Sequence, residues 1–225
     1  MLFTLIRGGN FIDAIVFVLS SVFVVFLVLP IHEFAHALTA TKLGDNTAKW
    51  QGRLSINPMR HIDWFGAVMI ILVGFGWAKP VPVNPARFRH PKSDMALVSL
   101  AGPMANLLMG IVSFILCALT QFIAIKAGIV GVVTYYIALF FMYIGSINIS
   151  LAVFNLIPLP PLDGAKVLGA FLPERIYYTL LQYERQLSLI LIVLICTGAA
   201  SNVLSTVTSS VSNGIYSIAC AMFGL

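Results

Sequence analysis

Two histidines and a glutamate occur in the stretch VLPIHEFAHALTA, directly after a long apolar run. His32, Glu33 and His36 form the pattern H-E-x-x-H. On a helix, histidines four residues apart share one face, so both imidazoles can bind one metal ion, and the glutamate beside them is a candidate general base. The pattern also occurs by chance in soluble sequences, but ionisable groups inside an apolar segment are costly and mark functional sites. The sequence therefore favours a metal site at His32 and His36.

Asp163 is the candidate for a further ligand, because a catalytic zinc site needs three protein ligands and an open position for water. In the stretch FNLIPLPPLDGAKVL, prolines interrupt the end of an apolar segment, and Asp163 follows them, directly before Gly164. Proline prevents a regular helix, and irregular backbone at membrane depth is tolerated only where protein or a water-filled cavity satisfies it. Taken alone, Asp163 is more simply a turn or N-cap aspartate. Together with the histidine pair, it becomes a candidate ligand.

The elements that carry these residues are predicted to be membrane helices. Of the 225 residues, 60% are hydrophobic and 9% are charged, whereas soluble domains carry about 25% charged residues. A spanning helix needs about 20 apolar residues. Four segments qualify, and the last is long enough for a span plus a short or re-entrant piece: 11–31, 95–125, 129–157 and 187–223. The shorter apolar segment 65–77 is predicted to be a half-helix or a re-entrant segment, and the first apolar segment is expected to be retained rather than removed as a signal peptide.

The distribution of positive charge predicts the orientation in the membrane. Lysines and arginines cluster in one loop region, which the positive-inside rule places in the cytoplasm: Lys42, Lys49, Arg53, Arg60, Lys79, Arg87, Arg89 and Lys92. Following the spans onward puts the stretch 157–186 on the same side, so both polar motifs approach one membrane face. The net charge of +5 is then a signal of topology and of affinity for anionic lipid. No basic patch with interleaved aromatic residues indicates a nucleic-acid partner.

Three motifs, taken in order, resemble those of the site-2 proteases, which are intramembrane zinc metalloproteases. They are H-E-F-A-H at 32–36, G-P-M-A-N at 102–106 and N-L-I-P-L-P-P-L-D-G at 155–164. Two further stretches, 52–66 and 76–85, resemble the compact prokaryotic branch of that family. The likeness covers roughly residues 14–170 and implies an all-α polytopic membrane protein. Its core would be three transmembrane helices plus additional helices, with the zinc buried toward the cytoplasmic side.

Carried over by position, the resemblance makes His32, His36 and Asp163 the zinc ligands and Glu33 the residue that activates the attacking water. Asn155 matches a family asparagine thought to contact the substrate or the developing oxyanion, a task that suits a neutral amide donor. A helix C-cap before the proline-rich break is the alternative role for Asn155. The resemblance thus implies one zinc ion per chain and assigns a role to each of these five side chains.

The activity implied by the resemblance is that of a zinc-dependent intramembrane endopeptidase, which hydrolyses peptide bonds in or near transmembrane segments or in remnant signal peptides, as in regulated intramembrane proteolysis. Its partners would be a transmembrane protein or peptide substrate and the lipid bilayer of the cell membrane. We expect a single domain over 1–225, with a core of about 11–170 and C-terminal helices over 171–225. No segment between the zinc motif and G-P-M-A-N is long enough for a PDZ domain. Substrate identity, oligomeric state and the number of spans after residue 186 stay open.

Substrate access predicts a further element, because a peptide bond in a transmembrane helix must be unwound before attack. The stretch 47–58 contains β-type residues with alternating polar neighbours, so we expect a short β-hairpin that turns near Gly52 and receives the extended substrate as an added strand. The glycine-rich stretch 74–85, GFGWAKPVPVNP, is expected to be an irregular connecting loop, and lining of the same cleft is the alternative. Asn106 is expected to hydrogen-bond a neighbouring helix, and His61 and His90 to be solvated loop histidines outside the metal site.

Two other functions fit an intramembrane cluster of ionisable residues. A metal transporter would use such a cluster as part of a pathway, but it predicts further ligands on other helices and an inverted repeat, and neither is visible in the sequence. A protein that binds transmembrane segments without cleaving them is the second alternative. The joint presence of both histidines, the glutamate and the aspartate favours the enzyme.

Overall fold

The computed structural model describes residues 11–73, 78–198 and 201–225. In these ranges the chain forms helices and irregular segments but no strand, which confirms the predicted all-α class. The helices are α1 (Phe11–Phe23), α2 (Leu29–Lys42), α3 (Trp64–Val73), α4 (Pro91–Lys126), α5 (Val132–Asn155), α6 (Asp163–Gly169), α7 (Glu174–Gln182), α8 (Glu184–Cys196) and α9 (Ser201–Phe223). A π-helical turn, Val24–Val28, joins α1 to α2, and single helical turns lie at Thr47–Trp50, Pro58–Arg60 and Pro85–Arg87.

Within the described residues, three continuous helices are long and apolar enough to cross a membrane. They are Phe11–Lys42, which contains α1, the π-helical turn and α2, then Pro91–Lys126 and Val132–Asn155. These correspond to three of the four predicted segments. The fourth segment contains α8, whose 13 residues are fewer than the roughly 20 that a span requires, and α9, which carries a run of serines and threonines. The predicted core of three spans plus additional helices is therefore confirmed.

Small residues allow α4 and α5 to pack closely along their length. A Cβ atom on Gly110 would lie 2.7 Å from the Cδ1 atom of Ile149, and one on Gly145 would lie 2.7 Å from the ring of Phe114. Such contacts are what helix association in lipid requires, because no hydrophobic driving force acts between helices there. The α1 helix packs on α5 through an apolar cluster that includes Phe17. The three spans thus form one bundle, and α9 packs on its outer side against α4 and α5.

The predicted β-hairpin over 47–58 is wrong. Residues Thr47–Trp50 form a helical turn instead, because the Asp45 carboxylate accepts hydrogen bonds from the backbone N–H and the hydroxyl of Thr47 and so starts a turn. The chain does turn at Gly52, whose φ of +67° suits glycine. Segment 65–77 begins as the helix α3, which Asp63 caps by accepting the N–H of Gly66. Its last four residues, 74–77, lie outside the described residues.

Candidate metal centre

His32 and His36 lie on one face of α2, as their spacing predicts. Both rings are buried, and their Nε2 atoms are 3.1 Å apart. The Nδ1–H of His36 donates to the backbone oxygen of Val98 on α4 at 2.7 Å. This bond selects the tautomer in which the Nε2 lone pair of His36 is free to bind a metal. The Nδ1 atom of His32 has no protein partner in the described ranges.

Asp163 begins α6, directly after the proline-rich segment, and brings a carboxylate to the histidine pair. Its Oδ2 atom lies 3.2 Å from Nε2 of His36 and 3.6 Å from Nε2 of His32. Ligand atoms of a tetrahedral zinc site with bonds of 2.0–2.2 Å are about 3.3–3.6 Å apart, so the three side chains fit zinc. Burial would raise the pKa of Asp163, but the adjacent His36 and His32 rings lower it well below its ordinary range. A metal ion would bind this carboxylate in its ionised form.

Gly102 lies directly against the two histidine rings. A Cβ atom there would lie 2.3 Å from the Nε2 atom of His36 and 2.6 Å from that of His32. Both distances are shorter than any real Cβ contact, so only glycine leaves space for the rings and for an ion between them. Sequence reasoning placed this glycine in a family motif but assigned it no role at the site. The signal that pointed to a site role was its place in the motif G-P-M-A-N between the two ligand motifs.

Glu33 is buried next to the histidine pair, and one of its oxygens is held by the backbone. Its Oε2 atom accepts the N–H of Val81 at 2.9 Å. Val81 belongs to the irregular stretch before the helical turn Pro85–Arg87, so this stretch contacts the site, as the alternative to a connecting loop requires. The second carboxylate oxygen of Glu33 has no protein partner among the described contacts and is available to a water molecule.

The five predicted site residues meet at one cavity of about 450 Å³. Both histidines, Glu33, Asp163 and Asn155 line it, together with the apolar side chains of the stretch that contains Val81. This volume lies within the range of small-molecule and peptide-binding sites, about 300–1,000 Å³. The structure therefore joins the two ligand motifs and the candidate base around a space that can admit a substrate.

Asn155 is the last residue of α5, and its side chain turns back on its own helix. The Nδ2–H group donates to the backbone oxygen of Leu151 at 3.0 Å, which leaves one amide hydrogen for another partner. The residue in the C-cap position is Leu156, so the alternative role of Asn155 as the C-cap does not hold. Asn155 is half-buried at the cavity wall and remains a candidate for substrate contact.

The sequence also gave expectations for three residues that are not candidate ligands: Asn106, His61 and His90. Asn106 is fully buried, but its amide has no partner in the described ranges, so the expected bond to a neighbouring helix is not found. His61 was expected to be solvated, and this is wrong: it is 0% exposed and donates from Nε2 to the backbone oxygen of Ser55 at 2.6 Å. Burial lowers the pKa of His61. His90 is exposed as expected, and neither loop histidine joins the cluster of three candidate ligands.

Comparison with known proteins agrees with this geometry. The sequence profile of peptidase family M50 matches residues 20–199, which is most of the chain. The chain belongs to peptidase family M50. As an M50 peptidase with three helices able to span a membrane, it is an integral membrane zinc metallopeptidase.

Relatives within the M50 peptidases extend from bacteria to archaea. YwhC of Bacillus subtilis (strain 168), named a zinc metalloprotease, is 38% identical over 192 residues, which cover 85% of this chain and 87% of YwhC. The zinc metalloprotease Rip2 of Mycolicibacterium smegmatis is 28% identical over 76% of this chain and 64% of Rip2. The zinc metalloprotease MJ0611 of Methanocaldococcus jannaschii is 28% identical over 61% of this chain and 62% of MJ0611. No solved structure matches the chain significantly.

Proposed function

We propose that this M50 peptidase is an intramembrane endopeptidase that cleaves peptide bonds in or near transmembrane segments of membrane proteins or in remnant signal peptides, as in regulated intramembrane proteolysis. The observation that carries the proposal is the convergence of His32, His36 and Asp163 on a cavity beside Glu33, within a bundle of membrane-spanning helices. A hydrolytic site at this depth can reach peptide bonds that soluble peptidases cannot.

The proposed ligands are His32, His36 and Asp163. Zinc held there supplies a Lewis acid that polarises the scissile carbonyl and makes water a better nucleophile near neutral pH. The hydrogen bond from His36 to Val98 orients one ligand, and the ionised Asp163 brings one negative charge to two neutral imidazoles. These three protein ligands would leave a zinc ion one position for water or substrate, as in a catalytic rather than a structural site.

Glu33 is the proposed general base. The Val81 N–H holds its Oε2 atom, so the carboxylate has a fixed orientation and one oxygen left to accept a proton from the attacking water. The same carboxyl group then delivers the proton to the leaving amine. Asn155 is the proposed donor to the substrate carbonyl, through the amide hydrogen that the bond to Leu151 leaves unused.

The substrate is proposed to bind in extended form along the cavity wall. Val81 and Val83 line the cavity on an irregular stretch, and the prolines on either side of Val81 keep this stretch out of helical conformations. We place the active site toward the cytoplasm in the cell membrane, because the positive charges concentrate in the region 42–94. A single catalytic domain over 1–225, with its core at about 11–170, remains part of this proposal.

The transport alternative gains no support from the described residues. Only one cluster of three or more potential metal ligands occurs in the ranges 11–73, 78–198 and 201–225. A transport pathway would need a second cluster to pass an ion onward. The non-cleaving alternative differs from the endopeptidase only in activity, and the following experiment separates the two.

The decisive experiment measures zinc content and cleavage of synthetic transmembrane peptides for the wild type, Asp163→Ala and Glu33→Gln in detergent. We expect about one zinc per chain in the wild type and in Glu33→Gln, and weakened zinc binding in Asp163→Ala. Glu33→Gln should lose about 10²–10⁴-fold in kcat, the typical contribution of a general base. The matched control is Glu174→Gln, which changes an exposed glutamate on α7 and should alter neither quantity. Zinc binding in the wild type without any cleavage would favour the non-cleaving alternative.

A further inference from the structure

Arg53 is a buried cation that lies next to the site but has no role in the proposed chemistry. Only 8% of its surface is exposed, although it belongs to the loop between α2 and α3. Its Nη2 group donates to two backbone oxygens, that of Lys79 and, at 3.1 Å, that of Pro80. These two residues directly precede Val81, whose N–H holds Glu33. Arg53 therefore contacts the backbone one residue away from the group that orients the candidate base.

The backbone polar groups from the N–H of Lys79 to the N–H of Val81 are all paired. The Lys79 N–H donates to the backbone oxygen of His61 at 2.8 Å, and Pro80 has no N–H to satisfy. Arg53 takes both carbonyl oxygens, and Glu33 takes the Val81 N–H. Segment 79–81 thus has no hydrogen bonds from a helix or a sheet, and its position depends on these side chains and on His61.

Arginine suits this task better than other donors. A guanidinium group carries several N–H donors in a planar, rigid arrangement and can bind two neighbouring oxygens at once, whereas a lysine ammonium acts as a flexible point donor. Burial lowers the pKa of Arg53, and the negative charge of Glu33 opposes that shift. Arg53 and Glu33 therefore interact electrostatically, and both bond the backbone of segment 79–81.

We propose that Arg53 is a positioning residue of the peptidase reaction: its guanidinium holds segment 79–81 so that the Val81 N–H keeps the Glu33 carboxylate in its working orientation. This inference rests on the proposed role of Glu33 as the general base. A loop residue that binds neither metal nor substrate would thus affect the catalytic step through the orientation of Glu33.

The test compares the zinc-loaded wild type with Arg53→Ala and Arg53→Lys. Hydrogen–deuterium exchange over residues 79–83 is informative because Pro80 and Pro82 have no amide hydrogen, so the signal comes from Lys79, Val81 and Val83 alone. In Arg53→Ala we expect exchange about tenfold faster and kcat about 10- to 100-fold lower, with zinc content unchanged, since small displacements of a reacting group have effects of this size. Arg53→Lys should have exchange and kcat values between those of the wild type and Arg53→Ala. Added guanidinium ion should partly restore kcat in Arg53→Ala.

Arg89→Ala is the matched control, because it removes an exposed arginine from the same charged loop region. It should change neither exchange nor kcat. Unchanged exchange in Arg53→Ala, or faster exchange with an unchanged kcat, would overturn the inference. If Arg53→Ala does not fold and retain zinc, hydrogen–deuterium exchange and kcat are measured on Arg53→Lys, and the same criteria apply. If the wild type cleaves no peptide, the proposed function fails, whereas the exchange result still decides whether Arg53 holds segment 79–81.

Discussion

His32 and Glu33 are neighbours in the chain, but different kinds of structure support the candidate metal ligands and the candidate base. The candidate ligands lie on helices, at the centre of α2 and at the start of α6, and the helix α4 supports them through Gly102 and Val98. The candidate base is held from the other side by an irregular segment, whose backbone is fixed by contacts from a second loop. Regular elements thus carry the metal geometry, and non-regular ones carry the orientation of the base.

This difference separates two ways in which the site can fail. Displacing a helix or filling the space between helices should remove the metal, because all three ligands would lose their common centre. Loosening the loops should leave the metal in place and slow the reaction, because only the carboxylate of Glu33 would lose its orientation. Zinc content and kcat are therefore separate measures of the two parts.

The largest effect is expected for Gly102→Ala, which tests the helix-borne part. The new methyl group would overlap both histidine rings, and the bond from His36 to Val98 prevents that ring from moving aside. We expect loss of zinc comparable with that of Asp163→Ala, measured by elemental analysis of the purified protein. Gly110→Ala is the control: its new methyl group would meet the side chain of Ile149 and the backbone oxygen of Gly145 but neither histidine, so it should cost about 1–3 kcal/mol of stability but retain zinc. Full zinc in Gly102→Ala would show that the helices can separate without loss of the site.

A smaller effect is expected for Asn155→Ala, which removes a proposed donor while leaving the ligands in place. The kcat should fall by about 10²–10³-fold, as for other oxyanion donors, with unchanged zinc content. Asn148→Ala provides a matched control, since the Nδ2–H of Asn148 makes the same type of bond to its own helix, at 2.8 Å to the backbone oxygen of Ile144. An equal decrease of kcat in both variants would assign the effect of Asn155 to helix stability and not to substrate contact.

The smallest effect is expected on the loop side, at Asp45. Its carboxylate accepts the backbone N–H of Asn84 at 2.7 Å and that of Thr47 at 3.0 Å. Burial would raise the pKa of Asp45, but these hydrogen bonds lower it below its ordinary value. The ionised carboxylate of Asp45 therefore stabilises the fold fully above the unfolded pKa of about 3.9. This contribution to the free energy of unfolding is lost as the pH falls through the lower folded pKa.

Asp45→Asn should accordingly destabilise the protein by about 1–3 kcal/mol near neutral pH, because it weakens hydrogen bonds to a buried charge. Thermal unfolding of the wild type and of Asp45→Asn between pH 3 and pH 7 would measure this difference. It should be constant between about pH 5 and pH 7 and become smaller below about pH 4. A difference that does not depend on pH would mean that the charge of Asp45 contributes nothing and that only its shape matters.

The helix-borne part of the site could be predicted from the sequence because helical periodicity relates spacing to geometry. The histidine pair needed only the four-residue spacing and its apolar surroundings. The approach of Asp163 to that pair needed the likeness to a known family, since the two motifs are more than a hundred residues apart. The close approach of Gly102 was not predicted, because a glycine in a membrane helix fits packing equally well.

The loop-borne part could not be predicted, because its contacts join residues distant in sequence without a repeating pattern. Arg53 bonds the backbone 26 positions away, and Glu33 bonds an amide 48 positions away. The hairpin prediction failed for a related reason: alternation of residue types suggested strands, but the local hydrogen bonds of Asp45 favoured a helical turn. His61 was placed in solvent because its partner, the backbone oxygen of Ser55, exists only in the folded loop.

The π-helical turn Val24–Val28 sets how α2 is rotated about the helix axis relative to α1 within the first spanning helix. The N–H of Leu29 bonds the backbone oxygen of Val24, five residues earlier, so this turn contains one residue more than an α-helical turn. Deleting one residue there would let the helix return to α-helical bonding. The face of α1 toward α5 and the face of α2 toward Gly102 would both be preserved. Deleting a residue from α1 itself would rotate that face by about 100° relative to the histidines. The length of the first span can therefore vary by one residue at this turn without moving the candidate ligands His32 and His36.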